Sequence, residues 1–317
     1  MRVKIWNGGG RESGEGVLNS WVRTKNDLAQ AAAPKAAHTG EELGRQRNVK
    51  NIMQELYALI GLQGVKKLIE EIYAFVEIQR QRQKEKLAAE PLVHHMIFKG
   101  NPGTGKTTVA RIMGKLFKEA GVLPKGHLIE VERADLVGEY IGHTAQKTRE
   151  QIKRALGGIL FIDEAYSLAR GGEKDFGKEA IDAMVKGMED HRDNLILILA
   201  GYQDEMDWFE DINPGLRSRF PIHIFFPDYS NVELLAIADL MLQQRQYVLL
   251  NGAREELRYI IEREHKRYER SGNARMVRNL IERALRRQAV RLMKKKRELS
   301  REDLMTIVRA DLEGGEQ

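Results

Sequence analysis

Between Val65 and Val76, apolar residues recur at intervals of three and four: Val65, Leu68, Ile69, Ile72, Tyr73 and Val76. That spacing gathers them on one face of a helix. The charged stretch EIQRQRQKEK continues the wet side of the same helix. A shorter helical run, IMQELYALIG, precedes it and ends at Gly61. Order is expected to begin near Asn48. Residues 1–47 are punctuated by Gly, Ala and Pro and read as a flexible tail, with Trp21 and Val22 as its anchors.

Further on, the period changes. LVHHMIF (92–98), HLIEV (127–131), GILFI (158–162), LILILA (195–200) and IHIFF (222–226) are apolar runs of strand length. Helical patterns separate most of them; Val109, Ile112, Met113, Leu116, Phe117 and Ala120 mark one, with Gly121 placed as its C′ residue. Strands alternating with helices predict an α/β fold with a parallel sheet covered on both faces. After FPDYS the strand pattern stops. Ser230 and Glu233 have capping-box spacing before LLAIADLML. Leu257, Ile260, Ile261 and Tyr268 predict a second helix; Val277, Ile281, Ala284, Leu285 and Leu292 predict a third; Ser300 and Asp303 open a last one. The expected organisation is a tail (1–47), an α/β domain (48–228) and a small all-α domain (229–317).

Composition narrows the classes. The chain has 317 residues, 42% of them hydrophobic, enough for two modest domains. There is no cysteine, so disulfides and thiol metal sites are excluded, which fits a reducing, cytoplasmic setting. No apolar run approaches the length of a membrane span, and the N-terminus lacks the apolar core of a secretory signal. The net charge is +6 and unevenly spread: Arg283–Arg301 holds nine Lys/Arg and one acid, Glu298. That run is either a nucleic-acid or membrane footprint or the solvated face of a helix; it carries no aromatic residue to stack on bases.

GNPGTGKT (100–107) fits G-x-x-x-x-G-K-[ST] directly after a strand and before a helix, the context that makes a phosphate loop credible. Glycines let backbone N–H groups turn towards phosphates, and the helix start adds positive potential. The residues expected to hold ATP here are Asn101, Pro102, Gly103, Thr104, Gly105, Lys106, Thr107, Thr108 and Val109. Lys106 would reach the β- and γ-phosphates, Thr107 would offer its hydroxyl to Mg²⁺, and Thr108 would face the α-phosphate. In GILFIDEA, Asp163 and Glu164 follow a buried strand at its C-terminal end, where open α/β sheets bind ligands. Asp163 suits the Mg²⁺ shell, and Glu164 suits a base that orients an attacking water. In NPGLRSRF, Arg217 and Arg219 stand where they could reach a neighbour's nucleotide. In SGNAR, Arg275 could close on the γ-phosphate from the lid.

One stretch resists a purely structural reading. In ADLVGEYIGHTAQKTRE (134–150), Tyr140 and Ile141 sit between Gly138 and Gly142 in a segment that reads as loop. Either Tyr140 packs back on its own domain, or it touches something that passes by.

Taken in order, GNPGTGKTT, YIGHTAQKT, FIDEAYSLA, LAGY, NPGLRSRF and GNAR resemble the AAA+ ATPases, and more narrowly the branch that includes a sporulation protein and the red-type rubisco activases. The resemblance spans about residues 50–312, leaves the tail outside, and is closest on the sporulation side. It implies a homo-hexameric ring that hydrolyses ATP with Mg²⁺ to remodel a protein partner. It implies Arg219 as a finger acting in trans with Arg217 in support, Arg275 as second sensor, and Ile60 and Gly61 against adenine. It also implies that Tyr140, Ile141 and Gly142 line a central pore. The family's first sensor is usually an Asn or Thr at the end of the fourth strand. LAGYQDE departs from that and offers Tyr202 or Gln203. The rival readings are an AAA+ motor on DNA, a rubisco-activase-like remodeller and a P-loop small-molecule kinase. A water-orienting base and a trans arginine fit the kinase poorly, and the absence of any appended DNA-binding domain weighs against nucleic acid.

Overall fold

The computed structural model describes residues 40–88, 93–140, 142–171, 175–250, 252–267 and 272–313. Trp21, Val22, Leu92, Ile141 and Tyr268 lie outside them. Residues 46–317 form one compact unit.

The first helix, α1 (Gly40–Tyr57), starts earlier than Asn48. Its opening turns carry good helix formers but no apolar stripe, and Leu43 is exposed. Propensity extends the helix where periodicity gives no signal. Helix α2 (Gln63–Lys84) buries Val65, Ile69 and Val76, as its spacing predicts.

Strands β1 (Met96–Gly100), β2 (Leu128–Val131), β3 (Ile159–Ile162), β4 (Ile196–Gly201) and β5 (Ile222–Phe226) form one parallel sheet in the order β2-β3-β4-β1-β5. Each central strand is apolar on both sides. Met96 and Phe98 face one cluster and Ile97 the other; Ile159 and Phe161 oppose Leu160 and Ile162 in the same way. On the first face lie α2 and α3 (Lys106–Glu119). On the second lie α5 (His143–Ala155), α6 (Gly177–Asp190), α7 (Gln203–Ile212) and α8 (Pro214–Arg219). A short helix, α4 (Arg133–Leu136), precedes α5. The stretch 134–150 is therefore mostly helical, and only its middle is loop. Its polar residues give α5 a narrow buried stripe of Thr144, Thr148, Ile152 and Ala155.

Strand β1 starts at Met96, later than the apolar run suggests. His95 just before it is buried, and its Nδ1 accepts the N–H of Leu197 at 3.0 Å, so a side chain takes the place of a ladder bond. Burial, with His94 beside it, depresses the His95 pKa from 6.5 to about 4. Between those values the unfolded chain binds a proton that the folded chain refuses, so stability is full above pH 6.5 and falls towards pH 4. His95→Asn keeps an acceptor for Leu197 and removes the titration. Urea unfolding at pH 7 and pH 5 is expected to show about 2 kcal/mol less loss in the variant than in the parent.

The lid is helical: α9 (Asn231–Gln244), α10 (Ala253–Arg267), α11 (Asn273–Met293), α12 (Arg301–Met305) and α13 (Arg309–Leu312). The expected capping box of Ser230 with Glu233 forms, and Ser300 and Asp303 make a second one. One feature gave no periodic signal: Val248–Leu249 and Thr306–Ile307 pair as a two-residue parallel bridge. Four of the nine cations of the basic run are engaged inside the lid. Arg291 pairs with buried Asp311 at 2.8 Å, Lys295 and Arg297 clasp Asp303 at 2.5 and 2.8 Å, and Arg287 caps the Leu312 carbonyl at 3.1 Å. Among the described residues no helix is long and apolar enough to cross a membrane.

Candidate nucleotide site

The neighbouring strands β3, β4 and β1 end on one side of the sheet, and their C-terminal ends converge on a cleft of about 250 Å³. From β1 come Gly100, Pro102, Gly103, Gly105, Lys106, Thr107 and Thr108; from β3, Asp163 and Glu164; from β4, Gly201 and Tyr202. The lid supplies Ala274, Arg275 and Arg278.

The loop after β1 is shaped by its own backbone. Gly103 has φ +73°, and a Cβ there would meet the Gly272 carbonyl at 2.3 Å, so only glycine lets lid and loop approach. Thr104 is fully buried and donates to the Asn101 carbonyl at 2.8 Å; its own carbonyl accepts from Tyr229 Oη at 3.1 Å. Helix α3 starts at Lys106, which points its ammonium back at the carbonyls of Gly100 (2.7 Å) and Asn101 (2.8 Å). Burial lowers its pKa, while Asp163 opposes that shift. A cation held in place and short of solvent suits a polyanion.

Asn101, Thr104 and Val109 do not line the cleft. Asn101 braces Lys106 and bonds Asp228 through its amide. Val109 is core, and its N–H is spent on the Gly105 carbonyl inside the helix. Ile60 and Gly61 also lie off the lining. Gly61 sits where a Cβ would abut Glu233 and Tyr229, and the adjoining Leu62 approaches Gly105. The segment thus flanks the phosphate loop on the lid side.

Asp163 Oδ1 accepts the backbone N–H of Glu164 at 3.0 Å, and both residues line the cleft. Glu164 has left-handed backbone (φ 46°, ψ 44°), an uncommon state for a residue with a Cβ and one that clusters at functional sites. Thr107 Oγ1 is 3.4 Å from Glu130 Oε1. Of the two first-sensor candidates, Tyr202 reaches the cleft and Gln203 does not. Arg278 is the residue that motif reading missed. Its signal was present, since three residues beyond Arg275 is the same helix face.

Arg217 and Arg219 lie on α8, away from their own cleft. Arg219 is tied to Glu189, with Nη2 at 2.7 Å and Nε at 3.1 Å from Oε1, and Nη1 donates to the Gly215 carbonyl at 3.0 Å.

Tyr140 stands 65% exposed and meets His143 edge-on at 5.4 Å. The loop base is stapled: Gly138 N–H donates to buried Thr144 Oγ1 at 2.9 Å, and Lys147 bonds the Val137 carbonyl at 3.1 Å. Gly138 is a packing glycine, because a Cβ there would lie 2.5 Å from that of His143. Gly142 has φ +84° and open space around it.

Stage V sporulation protein K of Bacillus subtilis (strain 168) is 54% identical to the chain over 286 residues, covering 90% of this chain and 88% of that one. Residues 96–228 match the ATPase family associated with various cellular activities (AAA), and residues 230–317 match the AAA lid domain. The chain belongs to the AAA ATPases. It is a nucleotide-binding ATP hydrolase. Protein CbbX of Cereibacter sphaeroides is 50% identical to this ATPase over 246 residues, 77% of this chain and 79% of that one. The chloroplastic ribulose bisphosphate carboxylase/oxygenase activase of Cyanidioschyzon merolae (strain NIES-3377 / 10D) is 46% identical over 272 residues, covering 84% and 92%. Among solved structures, the FIGL-1 AAA domain in complex with ADP superposes with a TM-score of 0.55 at 16% identity, covering 88% of this chain and 90% of that one. At that identity the likeness speaks for the fold alone.

Proposed function

We propose that this AAA ATPase works as a homo-hexameric ring that grips a protein partner and remodels it with the energy of ATP hydrolysis. The ATPase domain is residues 48–228, and 229–317 is the lid that covers the nucleotide. Lys106, with the backbone of Gly103 and Gly105 and with Thr108, cradles the phosphates. Thr107 and Asp163 fit a Mg²⁺ ion held mainly by phosphate oxygens. Among the described residues no cluster of three His, Cys, Asp or Glu could hold a metal alone, and Mg²⁺ characteristically shares its shell with phosphates. Such an ion would draw charge off the transferred phosphoryl. Glu164 orients the water, Arg275 senses the γ-phosphate from the lid, and Arg219, supported by Arg217, reaches the next subunit's cleft. Ile60 and Gly61 face adenine.

The observation that carries the mechanical reading is Tyr140. A large aromatic stands in solvent on a loop whose base is pinned, beside open space at Gly142, and outside the nucleotide cleft. With Ile141 and Gly142 it forms the grip on the passing chain. The likeness to stage V sporulation protein K points to a client in the cytoplasm of a sporulating bacterium. Rubisco-activating relatives fit the same action on another client. A DNA motor finds less support, because the basic run carries no aromatic residue to stack on bases and Arg291, Lys295 and Arg297 are paired within the lid.

Tyr140→Ala tests the grip. The exposed ring packs on little, so unfolding free energy should change by less than about 1 kcal/mol, against the roughly 3–5 kcal/mol lost when a buried aromatic is truncated. Basal ATPase should stay within a few-fold of parent. Polypeptide retained by a Glu164→Gln ring in ATP should be released when Tyr140→Ala is added. A steep drop in the melting temperature, or undiminished retention, would count against the grip.

A further inference from the structure

Asn273, the first residue of α11, is fully buried and has left-handed backbone (φ 46°). Its one amide group serves three parts of the molecule. Oδ1 accepts the N–H of Tyr229 at 2.9 Å, at the junction into the lid. Nδ2 donates to Asp228 Oδ1 at 2.7 Å and approaches the Pro102 carbonyl, in the phosphate loop, at 3.3 Å. Asp228 in turn accepts from Asn101 Nδ2 at 2.8 and 3.1 Å. The next residue, Ala274, donates its N–H to the Gly103 carbonyl at 3.1 Å. Arg275 and Arg278 follow and line the cleft.

We propose that Asn273 is a positioning residue that latches the lid onto the phosphate loop and so presents Arg275 and Arg278 to the nucleotide. This rests on reading the cleft as the nucleotide site. An amide is suited to the task, since it combines a donor and an acceptor in one short planar group and tolerates the left-handed region. Aspartate lacks the donor, and alanine has neither. The latch joins lid to loop through contacts that involve no nucleotide. The arginines are therefore held in place before ATP arrives, and the binding-competent arrangement need not be selected from an open ensemble. Apparent affinity falls in proportion when such an arrangement is only fractionally populated.

Asn273→Gly is the informative variant. Glycine adopts the same φ without strain, so the substitution removes the amide and leaves the backbone. Hydrogen exchange of the Ala274 amide, measured without nucleotide, should quicken about tenfold or more as the docked fraction falls, while amides of β3 and β4 keep their protection. The Kd for ATP should rise by about the same factor. Asp228→Ala, which removes the acceptor shared by Asn101 and Asn273, should give the same pair of changes and serves alone if the glycine variant does not fold. Asn273→Asp combined with Asp228→Asn reverses the polarity of the central bond and should recover part of the loss. Parental protection at Ala274, or parental ATP affinity in a folded variant, would overturn the latch. The site reading fails separately: it is lost if Lys106→Ala binds ATP as the parent does, an outcome that leaves the nucleotide-free exchange result standing.

Discussion

Arg219→Ala should bind ATP with parental affinity and hydrolyse it about 10³–10⁵-fold more slowly, the range known for arginine fingers. The argument is geometric. Arg219 does not line its own cleft and is held by Glu189 and the Gly215 carbonyl on the flank formed by α8. A head-to-tail contact that closes into a ring would bring that flank to a neighbour's cleft, so each site would borrow its arginine. The Glu189 pair is exposed and weak, so it can yield to a phosphate at little cost. Arg217 lies two residues away on the same helix and therefore on another face, so Arg217→Ala should cost less. Mixing settles the direction of the borrowing. Lys106→Ala subunits keep the finger and lack the cradle; Arg219→Ala subunits keep the cradle and lack the finger. At equal ratio, roughly one quarter of the interfaces in a random ring pair an intact cradle with an intact finger. Partial recovery of ATPase is the expected result. Confirmed mixed rings with no recovery at any ratio would mean that Arg219 acts in cis or is not a finger.

The phosphate loop and the Asp163-Glu164 pair were legible because their chemistry is local. Glycines, a lysine and two carboxylates stand at fixed offsets from strand ends, and a five-stranded parallel sheet is the arrangement that brings those ends together. The five strands were legible because a sheet buried on both faces writes continuous apolar runs. What escaped was of two kinds. Some elements carry no period: the early turns of α1, the two-residue bridge in the lid, and α4, set by the Glu132 and Asp135 capping box. Other features depend on partners far away in the chain. The late start of β1 comes from His95 bonding Leu197, and the pairing of Arg291, Lys295 and Arg297 comes from Asp303 and Asp311 folding back under α11. Arg278 lay between the two. Its spacing from Arg275 was visible, but without the Asn273 contacts nothing said which face of that helix met the cleft.

Glu164→Gln is expected to keep ATP bound and lower hydrolysis by about 10²–10⁴-fold, the span associated with a positioned general base. Glutamine has the same length and shape, so the cleft should keep its form, and the hydrogen bonds that hold Lys106 go to the Gly100 and Asn101 carbonyls and not to Glu164. Asp163 already accepts the Glu164 N–H, an interaction that the substitution leaves alone. What disappears is the charge that accepts a proton from water. Lys106→Ala is the contrast. It removes the half-buried ammonium held between the Gly100 and Asn101 carbonyls, and with it the main positive charge under the phosphates, so binding and turnover should both be lost. Asp163→Asn should differ from both by showing a raised Mg²⁺ requirement, since its carboxylate is the one suited to the metal shell. Equilibrium ATP binding, single-turnover hydrolysis and a Mg²⁺ titration separate the three. If Glu164→Gln turned over near the parental rate, the water would be oriented by some other group, and Tyr202, the remaining polar side chain that β4 brings to the cleft, would be the next residue to replace.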